Sequence, residues 1–317
     1  MKVYIVTPAN IVTGGCELCH QLCSAINELT NTEAYICYDD ITDKTSNCLG
    51  KDVEAPAEYL CYGTRHISSA EEMDKPGNIV IVGEGGTIVL PFIKNAKKVL
   101  WWMSVDNYIY ASGEEDMGYI KNNVLLHLFQ SYYSKWYVNL KIPSAEGLFL
   151  SDYINKEFIS GVFYEGIRNN VALYNPLKGA DKLKALMNKS TWLKWIPLTG
   201  FTRHEMAQLM FISKIYVDFG NHPGKDRIPR EAAVCGCCVI TNREGSAYYY
   251  QDVPIPEKYK FETPEDQLDE IDDLMRKICD NFELYSSEFD EYRRIIRGEE
   301  RTFNEGVKEL VKRLETL

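Results

Sequence analysis

The chain has 317 residues, 45% of them hydrophobic and 26% charged, with a formal net charge of -11. That length holds about two domains of ~150 residues, each with its own core; the composition is ordinary for a soluble globular protein, and no window of about 20 apolar residues marks a spanning helix. The acidic balance excludes a general nucleic-acid binder, which needs a basic face against phosphate backbones.

Met1 and Lys2 lead straight into VYIVTP, a buried-type strand, with no secretory leader. A cytoplasmic protein is expected, and peripheral contact with the inner face of a membrane stays open. Thr13-Gly14-Gly15 opens a helix, CELCHQLCSAINEL. Its Cys16, Cys19 and Cys23 fall at i, i+3 and i+7 on one face, and no second pair at zinc-like spacing follows. Helix packing is the expectation there, and no metal. The ten cysteines read as free thiols of a reducing compartment.

AYICYDD is the second strand, and Thr42 to Lys75 is polar and irregular. NIVIVGE is a strand ending at the Gly-rich GEGG, and TIVLPFIKN predicts a helix. KKVLWWMSVDNY is a strand whose end carries Asp106 and Asn107. A helix around Asp116 to Lys121 and a strand from Asn123 to Gln130 follow. A second alternation starts after about residue 165. NNVALYNP, WLKWIPLTG, KIYVDFG and CCVITN are strands, separated by KGADKLKALMNK, RHEMAQLMFIS and DRIPREAAVCG as helices. From Pro264 the chain is mostly helical, ending in a long charged helix to Leu317.

Two βα alternations predict an α/β protein with two doubly wound Rossmann-like domains facing across a cleft, ligands lying beyond the C-terminal strand ends. The expected domains are 1–165 and 166–290, with 291–317 as a helix returning to the first.

The most specific segment is YVDFGNHPGKDRIPREAAVCGCCVITN. A strand ends at Gly220, and a loop rich in Gly, Pro and base leads into a helix starting near Pro229, where a missing N–H is harmless. Glu231 is expected in its first turn. The helix start and the charges of Lys225, Arg227 and Arg230 suit a diphosphate.

PREAAVCGCCVIT resembles the signature of the retaining family-four glycosyltransferases of GT-B fold. The resemblance implies that Glu231 hydrogen-bonds the ribose of a nucleotide sugar. Eight positions earlier the family has a second Glu at the donor sugar. Pro223 stands there in this chain, so His222, Lys225 or Asp226 is expected to take over. LYNPLKG is similar to the family's loop after the first strand of the C-terminal domain, which implies diphosphate binding by Lys178, with Asn175 and Gly179 beside it and Arg227 adding charge. GGCEL is similar to the family's Gly-Gly loop, which implies that Gly14 and Gly15 approach the donor phosphate. At MSVDN, Asp106 and Asn107 take the place of a His-Asp-like pair beside the transferred sugar, and Glu84 takes that of another histidine.

The resemblance implies a transferase moving a sugar from a UDP- or GDP-type donor to a carbohydrate or lipid-linked acceptor, in polysaccharide or glycoconjugate synthesis. Residues 1–165 would form the acceptor domain and 166–290 the nucleotide-sugar domain, with Asp106, Lys178 and Arg227 in catalysis and no cofactor beyond the donor. Three alternatives are open: an inverting transferase using Asp106 or Glu84 as base, a sugar-nucleotide epimerase, and a non-catalytic nucleotide-sugar-binding protein. Plainer readings stand beside the site roles. Glu231 could cap its helix, Lys178 could be a solvated loop lysine, and Asp106 a turn acid. His127 is expected to be packed in its strand and Trp101-Trp102 in a core, and Arg293, Arg294, Arg297 and Arg301 to lie on a salt-bridged helix.

Overall fold

A computed structural model describes residues 1–160 and 168–317 apart from 41 and 44. The expected domain boundary at 165 lies outside the described residues. Two compact units are present: Met1–Asp152 with Arg301–Leu317, and Tyr153–Glu300.

The first unit holds β1 (Val3–Pro8), β2 (Ala34–Asp39), β3 (His66–Ile67), β4 (Ile79–Gly83), β5 (Lys97–Trp102), β6 (Val124–Phe129) and β7 (Gly147–Phe149). Their order is β3-β2-β1-β4-β5-β6-β7. The pairings are parallel, with Val3 opposite Ala34 and Ile79. The second unit holds β8 (Asn169–Tyr174), β9 (Lys194–Pro197), β10 (Ser213–Asp218), β11 (Cys238–Asn242) and β12 (Lys260–Phe261), in the order β12-β11-β10-β8-β9. These strands also pair in parallel. Strands covered on both faces read as continuous apolar runs, as VYIVTP and CVITN do.

Strand order reverses between β1 and β4 in the first sheet and between β8 and β10 in the second. Loops leaving a sheet in opposite directions open a crevice at such points.

Three elements differ from the sequence expectation. The strand in KKVLWWMSVDNY stops at Trp102, with Asp106 and Asn107 in the helix Val105–Ser112. TIVLPFIKN is no α-helix: Glu84–Phe92 forms 3₁₀ turns with a break at Gly86, because two glycines weaken the start and Pro91 removes a donor. The tail is not one long helix. Leu268–Asp280 is the separate helix expected after Pro264, but the long helix expected beyond it is three, Phe282–Ser287, Asp290–Arg297 and Glu299–Thr316, and Gly298 parts the last two. Asp290–Arg297 stays with the second unit, because Tyr292 and Ile296 sit in that core. Only from Arg301 does the chain join the first unit, burying Phe303, Val307, Leu310 and Leu314 at helical spacing.

Two arginines of the second unit close helix ends. Arg168 donates to the carbonyls of Met210, Ser213 and Cys235. Arg293, buried, donates to Ala233 O (2.9 Å), Gly236 O (3.1 Å) and Ser286 O (2.8 Å). The sequence places Arg293 on a salt-bridged helix; it turns inward to these carbonyls and also pairs with Asp290 (3.0 Å), while Arg294 pairs with Glu291. Removing one partner of buried charged hydrogen bonds costs about 3 kcal/mol. Arg293→Met should therefore lower stability by about that much in urea denaturation, and a loss inside ±0.5 kcal/mol, the range of a neutral surface change, would contradict the capping role.

Candidate functional site

In the second unit the loops after β8 and β10 meet at the switch point. Asn175 Oδ1 accepts from Leu177 N (3.0 Å), folding the β8 loop into an Asx turn. Gly179 has φ +67°, and a Cβ there would stand 2.5 Å from the Gly220 nitrogen. A Cβ on Gly220 would stand 2.6 Å from Lys178 Cβ. These glycines are small because two backbones cross there.

The β10 loop is held from below by β11 and the turn that follows it. Asn242 Nδ2 donates to Phe219 O (3.1 Å) and Gly220 O (3.0 Å). Ser246 N donates to His222 O (2.8 Å), and Ser246 Oγ to Gly224 O (2.6 Å). Gly245, at φ +56°, lies under His222 O, where a Cβ would collide.

These contacts assemble a charged chain. Lys178 Nζ donates to both carboxylate oxygens of Asp226, at 3.0 and 3.1 Å. His222 is fully buried. Its Nδ1 lies 3.2 Å from Asp226 Oδ2 and its Nε2 3.9 Å from Asp218 Oδ1. Asp218 also accepts from Tyr216 OH (2.7 Å) and Gly220 N (3.0 Å). Burial alone would push the His222 pKa down, but the Asp218 and Asp226 carboxylates outweigh it and hold the pKa above its ordinary value. Burial would likewise raise Asp226, but His222 and Lys178 hold it below the ordinary carboxylate range. Asp218, His222 and Asp226 are also the cluster, among the described residues, with metal-ligating spacing. The ammonium of Lys178 occupies both oxygens of Asp226 there.

The helix after the loop spans Arg227–Val234, with Asp226 at its N-cap position. It starts two residues before the expected Pro229, so Glu231 falls in the second turn rather than the first. Pro229 is third in the helix, still among the positions whose N–H has no helical partner. Arg227 is half-buried at the first position and Glu231 is buried. Arg230 is buried and faces inward, donating to Lys225 O (2.9 Å), Asp226 O (3.1 Å) and Glu299 (2.8 Å). Lys225 Nζ lies 2.8 Å from Glu299 Oε1. Gly236, φ +102°, follows the helix, and a Cβ there would collide with the Arg168 guanidinium.

In the first unit, Thr13 caps the helix Gly14–Leu29 through Cys16 N (3.3 Å). Tyr59 OH clasps the peptide of Thr13, donating to its oxygen and accepting from its nitrogen at 2.8 Å each. Gly14 and Gly15 are therefore fixed at the switch end of β1. Across it, Glu84 is buried and accepts from Met103 N (2.7 Å), and desolvation pushes its pKa up to about 7. Asp106 lies in the first turn of the helix Val105–Ser112 and accepts from Tyr133 OH (2.5 Å). His127 is packed as expected, accepting from Trp102 Nε1 (2.9 Å), with burial lowering its pKa to about 4. Trp101 and Trp102 are core residues.

The structure thus joins Asn175, Lys178, Gly179, His222, Lys225, Asp226, Arg227 and Glu231 within one unit, while Gly14, Gly15 and Asp106 belong to the other. Sequence reasoning missed Asp218, although a buried acid ending YVD was a signal. It also missed Glu299, about seventy residues from its partners, which nothing local marked.

No family model and no curated protein matches the chain in sequence. Solved structures do match in fold. Sucrose-phosphate synthase from Thermosynechococcus elongatus is similar at 13% identity and TM-score 0.69, with 99% of each chain covered. A glycosyltransferase from Rickettsia africae is similar at 12% identity and TM-score 0.63, covering 99% of this chain and 98% of that one. HepE from Anabaena, solved with UDP and glucose, is similar at 13% identity and TM-score 0.60, covering 98% and 99%. At these identities the likeness establishes the fold: two doubly wound α/β units of the GT-B type.

The backbone crossing and the buried histidine can each be tested. Gly179→Ala should cost about 1–3 kcal/mol of stability, read as a lower Tm; an unchanged Tm would contradict the backbone crossing. A histidine whose folded pKa is raised contributes stability fully below its unfolded value of 6.5, and that contribution fades as pH rises through the folded pKa. The depressed Asp226 contributes above 3.8 and loses its effect as pH falls. The advantage of wild type over His222→Asn should therefore peak between pH 3.8 and 6.5 and shrink above. An advantage that grows toward alkaline pH would refute a charged His222.

Proposed function

We propose that the protein is a glycosyltransferase that takes a sugar from a UDP- or GDP-type nucleoside diphosphate sugar and passes it to a carbohydrate or lipid-linked acceptor, with retention of configuration. The observation that carries this reading is the placement of Lys178 beside the start of the helix Arg227–Val234, at the switch point of a GT-B unit. A fixed ammonium and a positive helix end are what a leaving diphosphate needs as its negative charge grows. That chemistry requires no metal. In this reading Lys178 and Arg227 hold the diphosphate and Glu231 orients the ribose. Asp226 supplies the carboxylate that Pro223 lacks. The neighbour solved with UDP and glucose supports a nucleotide-sugar ligand.

A second reading, inversion with Asp106 as base, draws support from the half-exposed position of Asp106 at the end of β5, held by Tyr133. Asp106→Asn decides between them: loss of all turnover favours inversion, and substantial residual transfer favours retention.

UDP or GDP at a hundredfold excess over Kd should stabilise the protein by about 2.7 kcal/mol, seen as a rise in Tm. Lys178→Ala and Glu231→Ala should each remove most of that rise. No shift with any nucleoside diphosphate or its sugar would sink the donor site.

A further inference from the structure

The helix Tyr132–Lys141 packs Ser134, Tyr137 and Val138 inward. Its outer face carries Tyr132, Trp136 and Leu140 at i, i+4 and i+8, exposed by 41, 49 and 60%. Trp101 and Trp102 are buried, and Trp192 and Trp195 are partly so; Trp136 alone of the five tryptophans is exposed. Tyr133 lies parallel to it, with ring centroids 6.2 Å apart and an interplanar angle of 16°. Tyr133 is also the residue whose hydroxyl reaches Asp106 at the end of β5. Two near-parallel rings therefore lead from Asp106 to Trp136 on the exposed face of this helix.

Its border is acidic. Tyr137 OH donates to Glu114 (2.5 Å) and Tyr108 OH to Asp116 (2.7 Å), so three tyrosines bond three carboxylates beside the stripe. Lys141 is tied to Glu114, and Lys135 lies over the Phe149 ring. Carboxylates on this border oppose an anionic lipid surface, which selects for basic residues. The stripe is also too small for a stable dimer. Three half-exposed side chains offer on the order of 300 Å², against about 800 Å² per partner. A ligand that is uncharged, has flat C–H faces and carries hydroxyls satisfies both the rings and the carboxylates.

We propose that Trp136 and Tyr133 form a stacking platform for a neutral oligosaccharide, with Asp106 at its inner end. Its role as the acceptor chain rests on the transferase reading above; the sugar binding itself does not.

The full chain, without donor, is applied to immobilised neutral hexose and N-acetylhexosamine oligosaccharides. Wild type should bind a subset. Trp136→Ala should weaken that binding by about tenfold or more, as truncation of an aromatic anchor does, while Trp136→Phe should stay within about threefold. The UDP-induced Tm shift of Trp136→Ala should equal that of wild type, which also shows the variant folded. Oligosaccharide binding without a Tm shift from any nucleoside diphosphate or its sugar supports the platform and sinks the donor reading. Absence of oligosaccharide binding, or equal binding by Trp136→Ala, overturns the platform. So does sedimentation with phosphatidylcholine–phosphatidylglycerol vesicles that Trp136→Ala abolishes, or a dimer in light scattering that Trp136→Ala dissolves.

Discussion

Asp226 holds two cations at once, Lys178 through both carboxylate oxygens and His222 through one. Buried charge is tolerated only when it is paired, and His222 sits between two carboxylates, Asp218 and Asp226. The arrangement fixes the loops after β8 and β10 to one another, since Lys178 comes from the first and the other three from the second. It also explains a local irregularity. Asp226 occupies the N-cap position, where an aspartate usually accepts from the next backbone N–H groups, yet it makes no such bond. Its side chain is turned to Lys178 and His222 instead.

The glycines and the residues at and after the end of β11 make that chain geometrically possible. Gly179 and Gly220 let the backbones cross, and Asn242 and Ser246 carry the loop carbonyls that a tight bend would otherwise leave exposed to each other. Arg168 and Arg293 both hold the carbonyl end of the helix Arg227–Val234. The loop's carbonyls and charges are tied to adjoining elements.

Much of this was legible in the sequence because it is local. The βα alternation predicts both sheets, and Lys178, Gly179, His222 and Asp226 of the loops after β8 and β10 meet one another. What was not legible depends on distant residues or on one residue's competing uses. TIVLPFIKN has helical apolarity, but Pro91 and its glycines decide for tight turns. The long charged tail has helical periodicity throughout, but Gly298 and the burial of Tyr292 and Ile296 divide it between two units. Glu299 is one acid among many in that tail, and no local pattern marks it as the partner of Arg230.

That last partner decides which of the loop's cations can meet a ligand. Lys225, Arg227 and Arg230 read alike in sequence, as positive charge near a helix start. Arg230 is 1% exposed and bound to Glu299 and two carbonyls, so withdrawing it would leave a buried carboxylate short of a partner, at a cost of about 3–5 kcal/mol. Lys225 shares Glu299 with it and is 13% exposed; it can turn away only by leaving that carboxylate to Arg230. Lys178 is 36% exposed, and if it turns to an anion Asp226 still keeps His222. A chain of net charge -11 has many acids competing for each cation; Lys178 and Lys225 each leave their acid with a second cation, and Lys178 is the more exposed of the two, at 36% against 13%.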